Sequence, residues 1–253
     1  MNDMSIQVPE GRSYAPEYDF EVYDGPPKLT YVLATIPRSG STFLSHELWK
    51  TGALGAPLEY LNFEGGMLDR SSLENLNGHL ASIWRARTSP NGVFGLKLFP
   101  NDIKQALQTS RNILPVLRGA KYIYLTRRNK IRQAVSYARA KQTGAWVATA
   151  LEQTSPTYSE AEIDQAMEQI FVQERFWTAY FDRLEINPLM IEYEDVAKDV
   201  RLGIAEIADF VGVEISGGAD LPTPSVAVQS DSISSEWVDR YQASLSTREA
   251  SAN

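Results

Sequence analysis

The chain contains no cysteine in 253 residues, which removes disulfides, thiolate catalysis and cysteine-ligated zinc together. Histidine is nearly as scarce. His46 and His79 are the only two, and with no HExxH pattern a zinc hydrolase is an unsuitable reading. Basic residues are outnumbered, 24 Lys and Arg against 32 Asp and Glu for a formal net charge of -8, which argues against a nonspecific nucleic-acid binder. No apolar run reaches the roughly 20 residues that cross a bilayer. The polar, acidic start lacks the basic-then-apolar order of a secretory signal, so the expected location is the cytoplasm. What is present is ordinary for a globular chain, 43% hydrophobic and 22% charged, with length enough for one α/β domain of generous size.

Hydrophobic periodicity alternates between short apolar runs and helical stretches. Strands are expected at Thr30–Ile36, Val93–Phe99, Lys121–Thr126 and Pro188–Glu192, each short, apolar and bounded by turn residues. Helical patterning follows over Phe43–Trp49, ending near Gly52, then over Leu73–Arg87, Asp102–Leu117 (weakened by Pro115), Lys130–Thr143, Glu160–Leu184, Asp195–Val211 and Ser234–Leu245. Residues 1–28 read as an irregular arm packed through Tyr14, Tyr18 and Tyr23, 29–246 as a single domain, and 247–253 as a frayed tail. Strands alternating with helices imply an α/β fold, a central parallel sheet flanked by helices, with ligands at the carboxyl ends of the strands.

Two sequence features fall at such ends. The first is Pro37-Arg38-Ser39-Gly40-Ser41-Thr42, between the first strand and the first helix. Gly40 permits a tight backbone turn, the first helical N–H groups favour an anion, and Arg38 adds a planar fork of donors. Alone, this turn is equally compatible with an ordinary Ser-capped βα connection. The second feature is Arg127-Arg128, delivered by the third strand and followed by Ser136 in the next helix. Two basic strand ends side by side favour an anionic ligand.

A nucleotide triphosphatase loop requires GxxxxGK[ST] and a carboxylate holding magnesium. Here the basic residue precedes the glycine and arginines stand where that acid belongs. Such a set suits 3′-phosphoadenosine-5′-phosphosulfate (PAPS), handled without metal. The sulfuryl end meets the glycine turn, and the 3′-phosphate meets Arg127 or Arg128 with Ser136. A P-loop kinase acting on a small molecule and a non-catalytic adenosine-bisphosphate-binding protein are the competing readings.

The ordered set PRSGST, GAPLEYL, TSPNGVFGLKLF, YLTRRNKIRQAVSYARAKQTGAW, ERFWTAYF, IEYEDV and SEWVDRY, running from about Tyr31 to Tyr241, resembles the bacterial carbohydrate sulfotransferases of the trehalose 2-sulfotransferase type. The resemblance implies a P-loop-like three-layer fold, PAPS as donor, adenosine 3′,5′-bisphosphate as product, a sugar hydroxyl as acceptor and a possible homodimer. It assigns Arg38, Ser39, Gly40, Ser41 and Thr42 to the 5′-phosphosulfate loop, Arg127, Arg128 and Ser136 to the 3′-phosphate, and Glu59 to the general base. Val228-Gln229-Ser230 stands where relatives carry a basic residue, and a segment before the Gly95–Lys97 strand is short. The acceptor is therefore left as a carbohydrate or related hydroxyl-bearing molecule.

Lys97 is a charge between Leu96 and Leu98, suited either to snorkelling or to meeting the transferred sulfuryl and the departing phosphate oxygen. Trp146, Tyr60, Phe63 and Trp84 are candidates for stacking on a sugar, whereas Phe176, Trp177 and Tyr180 read as core. Arg132 and Arg139 read as helix faces or minor cofactor contacts. His46 and His79 read as helix surface, and the acids of 160–174 as a solvated face.

Overall fold

The computed structural model describes residues 14–62, 75–109, 113–146, 150–215 and 232–252. Four strands, β1 (Leu29–Ala34), β2 (Val93–Leu98), β3 (Lys121–Thr126) and β4 (Leu189–Glu192), form one sheet in the order β2-β1-β3-β4. Every pairing is parallel, with Val32 opposite Leu96 and Tyr122, and Leu125 opposite Ile191. A parallel sheet needs helical crossovers that cover both faces. The two-residue period of the strands divides accordingly. Val32, Ala34, Phe94, Leu96, Tyr122 and Tyr124 enter one core, while Tyr31, Leu33, Ile123 and Leu125 enter the other.

The helices divide between these faces. Helix α1 (Ser41–Lys50) sends Leu44 and Leu48 to the second core, where α7 (Tyr193–Lys198) and α8 (Val200–Val211) also pack. The first core takes α2 (Leu76–Arg87), α3 (Pro100–Thr109), α4 (Leu114–Gly119), α5 (Lys130–Thr143), α6 (Glu160–Leu184) and α9 (Ser232–Ala252). The chain thus leaves β1 toward one face and leaves the neighbouring β3 toward the other. Such a divergence opens a crevice at the carboxyl ends of two adjacent strands, here between the Arg38 turn and the Arg127 strand end.

The helix expected over 102–117 is seen as α3 and α4, with residues 110–112 between them outside the described residues; Pro115, which has no N–H to give a helix interior, lies in the first turn of α4. The helix expected over 195–211 is divided. Asp199 takes an extended conformation and its side chain accepts from Leu202 N–H, ending α7 and capping α8. The last helix runs longer than expected, to Ala252. Arg248 pairs there with Glu160 and Asp164, and Tyr241 donates to Asp164 at 2.5 Å. The acids at the start of α6 therefore serve docking of α9. Among the described residues no helix is long and apolar enough to cross a membrane.

The described part of the arm, residues 14–28, holds a 3₁₀ turn at Pro16–Tyr18. Tyr14 and Tyr18 meet Tyr60 and Trp49 edge-on. Buried Arg87 donates to the carbonyls of Ala15 and Tyr18, pairs with Asp19 at 2.8 Å and lies over the Trp49 ring.

Candidate active site

The turn after β1 is shaped by two left-handed residues, Arg38 at φ 63° and Gly40 at φ 88°. For Arg38 that conformation costs energy and needs support from its surroundings. Gly40 is required twice over. Its φ disfavours a side chain, and a Cβ would fall 2.1 Å from the Tyr193 ring. The same ring meets Phe43 edge-on and has the Arg127 guanidinium over it at 5.1 Å.

Support for the turn comes from three distant side chains that donate to its carbonyls. Trp177 Nε1 reaches Thr35 O at 2.8 Å, Gln133 Nε2 reaches Pro37 O at 2.8 Å, and Arg127 Nη1 reaches Arg38 O at 3.1 Å. Thr35 and Ser39 share a hydroxyl contact of 2.6 Å beneath it. Ser39 is buried with its hydroxyl turned inward, so its side chain stiffens the turn. Gly40, at the N-cap of α1, has no side chain to cap the helix, which leaves the dipole's positive end for an anion.

Arg38 extends toward α5. Its Nε donates to Ser136 Oγ at 2.8 Å and its Nη1 to Trp146 O at 2.5 Å. The turn and Ser136 are therefore in direct contact across 98 residues of sequence. The two strand-end arginines diverge. Arg127 is mostly buried, and desolvation holds its guanidinium below the usual arginine range. Arg128 is 57% exposed and pairs with Glu192 and Asp195. Glu194 fixes the backbone between them by accepting from Arg128 N–H at 2.9 Å and Asn129 N–H at 3.0 Å.

The other wall is the segment following α1. Leu58 bridges to Leu96 in parallel, and Lys97 N–H donates to Leu58 O. The bridge extends β2 outward and sets Glu59 beside Lys97. Lys97 Nζ lies 3.0 Å from Glu59 Oε1, with the side chains 1% and 2% exposed. The lysine does not snorkel to solvent; its charge is matched in place. Its Nζ also approaches Thr42 Oγ1 at 3.5 Å, which joins the carboxylate to the first turn of α1. Asn62 Nδ2 holds the other carboxylate oxygen, Glu59 Oε2, at 2.7 Å. His79 Nε2 lies 3.3 Å from Tyr60 O and so steadies the same segment from α2.

Two linked clusters result, Arg38 with Ser136 and Arg127, and Glu59 with Lys97 and Thr42. Arg128 stands outside both. Tyr60 is buried and stacked on Phe94, so its ring belongs to the core; Trp84 is partly buried against the same core. Trp146 is 39% exposed beside Arg38 and meets Tyr137 edge-on. His46 is buried edge-on to Trp49, contrary to a surface reading. Arg139 donates to Ser234 and Glu152. Phe63 and Val228-Gln229-Ser230 lie outside the described residues. Gln133, Trp177, Tyr193 and Asn62 were not singled out for the site by sequence. Gln133 carried the clearest available signal, an amide on the buried side of α5 among Ala134, Val135 and Tyr137.

Two curated relatives are trehalose 2-sulfotransferases. The one from Mycolicibacterium smegmatis is 25% identical and the one from Mycobacterium tuberculosis 28%; each match covers 84% of this chain and 94% of the relative. A solved sulfotransferase from Alicyclobacillus acidocaldarius aligns with a TM-score of 0.46 at 17% identity, over 87% of this chain and 95% of its own. The family model for the Stf0 sulphotransferases matches residues 30–244, from β1 into α9. The chain belongs to the Stf0 sulphotransferase family, and it is a transferase of sulfuryl groups.

Proposed function

We propose that this enzyme moves the sulfuryl group of PAPS to a hydroxyl of a carbohydrate or related small molecule, with Glu59 as general base. The observation that carries the reading is the buried Lys97–Glu59 pair set against Thr42 at the start of α1. A carboxylate and an ammonium group stand together at the edge of an anion-accepting turn. The two relatives named as trehalose 2-sulfotransferases support a sugar acceptor.

The donor fits the residues present. Gly40 leaves no Cβ over the turn, and the guanidinium groups of Arg38 and Arg127 stand beside it. When bound, PAPS supplies an activated sulfur and a phosphate leaving group. Glu59 would take the acceptor's hydroxyl proton at a carboxylate oxygen as the acceptor oxygen bonds to sulfur and the bond from sulfur to the 5′-phosphate oxygen breaks. Lys97 and Arg38, with the N–H groups near Gly40, meet the negative charge that develops on sulfuryl and phosphate oxygens. Arg127 and Ser136 hold the 3′-phosphate. Arg128 joins them only by leaving Glu192 and Asp195. Asn62 keeps Glu59 in one orientation.

Incubation with labelled PAPS and a panel of sugars and hydroxyl-bearing metabolites, read by mass spectrometry, tests the reading. Transfer to at least one carbohydrate is expected. Magnesium-dependent consumption of ATP would favour a kinase. Binding of adenosine 3′,5′-bisphosphate without transfer to any member of the panel would favour a non-catalytic binding protein.

A further inference from the structure

The three donors beneath the turn have a consequence for the side of it that faces the ligand. A trans peptide points its N–H opposite to its C=O, and no peptide bond here is cis. Gln133 holds Pro37 O and Arg127 holds Arg38 O. The N–H groups of Arg38 and Ser39, which share those two peptides, are thereby turned away from Gln133 and Arg127. Successive N–H groups presented around left-handed residues form an anion-binding concavity. Trp177 fixes the base of the turn one residue before Ile36, through Thr35 O.

Gln133 and Trp177 are both fully buried. Gln133 comes from α5 and lies 96 residues from Pro37; Trp177 comes from α6 and lies 142 residues from Thr35. The Trp177 ring is also stacked on Phe181 at 5.4 Å between centroids, so its N–H is aimed by packing. Gln133 Oε1 is buried and has no hydrogen-bond partner. The amide is thus held where its oxygen goes unused, a cost that the Pro37 contact offsets.

We propose that Gln133 and Trp177 are positioning residues for sulfuryl transfer. They act through the carbonyls of Pro37 and Thr35, and keep the turn's N–H groups aimed at the 5′ end of the donor without touching it. The inference rests on the reading of this turn as the 5′-phosphosulfate site. It separates the residues that bind the donor from those that hold the binding surface in shape.

The test is calorimetric titration of the full chain with adenosine 3′,5′-bisphosphate and with adenosine 3′-monophosphate, which lacks the 5′ group. Wild type is expected to bind the bisphosphate more tightly. Trp177→Phe keeps an aromatic ring against Phe181 and loses the N–H with part of the indole volume; Gln133→Met keeps the side-chain length and loses the amide. Each is expected to weaken the bisphosphate by roughly five- to tenfold, the scale of one lost hydrogen bond. Affinity for the 3′-monophosphate should be unchanged, and in steady-state assays the donor KM should rise while the acceptor KM stays constant. Unaltered bisphosphate affinity in both variants overturns the proposal. So does a parallel loss for both nucleotides, which would mark general loosening. Equal affinity of wild type for the two nucleotides would instead overturn the assignment of the turn itself.

Discussion

Lys97 and Glu59 show how far a single residue's role depends on its partner. An ammonium group in an apolar strand is costly unless its charge is matched nearby, and Glu59 matches it at 3.0 Å. Lys97→Met should therefore leave a buried carboxylate without its countercharge and lower stability by about 3–5 kcal/mol. Adding Glu59→Gln should recover much of that loss, which a double-mutant cycle by urea denaturation would measure. Gly40→Ala is a second test at this scale. It imposes a side chain at φ 88° against the Tyr193 ring, so bisphosphate affinity should fall more than tenfold (roughly 1.4 kcal/mol). Wild-type affinity in that variant, read by calorimetry, would refute the close packing of turn and ring. That Lys97 is a charge among apolar neighbours was legible, and sequence suits it to snorkelling or to meeting the sulfuryl group; the structure gives it Glu59. That partner was not legible, because it lies 38 positions earlier and is brought alongside by the Leu58–Leu96 bridge and the bond from Lys97 N–H to Leu58 O.

At the scale of elements, strands and helices with a clear period were legible from sequence, and their ends were set by single residues. Lys130–Thr143 closes at left-handed Gly144, and Glu160–Leu184 opens at a Ser159 cap. The weakening at Pro115 was legible from sequence, whereas the division at Asp199 was missed because an apolar period continues across it, so a local backbone preference had to override it. Where β3 meets α5, Glu194 controls the geometry. Burial acts to raise its pKa, yet the N–H groups of Asn129 and Arg128, with Arg127 nearby, outweigh burial and leave it below the usual glutamate range. A depressed carboxylate pKa stabilises the fold above the unfolded-state value, and that contribution is lost as the pH falls through the folded one. Glu194→Gln should accordingly lower the thermal midpoint at neutral pH, with the gap to wild type closing in acid. A gap that stays constant from neutral pH to pH about 3 would show that ionisation of Glu194 contributes nothing.

The whole molecule draws its site from contacts that sequence spacing does not record. The parallel sheet and the placement of both basic turns at strand ends followed from alternation of period. The contacts of Gln133 and Trp177 depend on helices returning over the first core, and that packing has no local signature. The arm is tied in similarly: Arg87 binds it on one side, stacks on Trp49 of α1, and through its own carbonyl accepts Ala56 N–H at the start of the Glu59 segment. Arg87→Met is expected to cost about 3 kcal/mol, the lower end for breaking a buried pair because Asp19 is partly exposed. It should reduce turnover more than bisphosphate affinity, since it loosens the wall that carries Glu59; equal losses in both would contradict that placement. The most direct test of the account is the single-turnover rate of sulfuryl transfer from PAPS by Glu59→Gln. A fall on the order of 10²–10⁴-fold with bisphosphate affinity preserved is predicted, and a near-wild-type rate would contradict it.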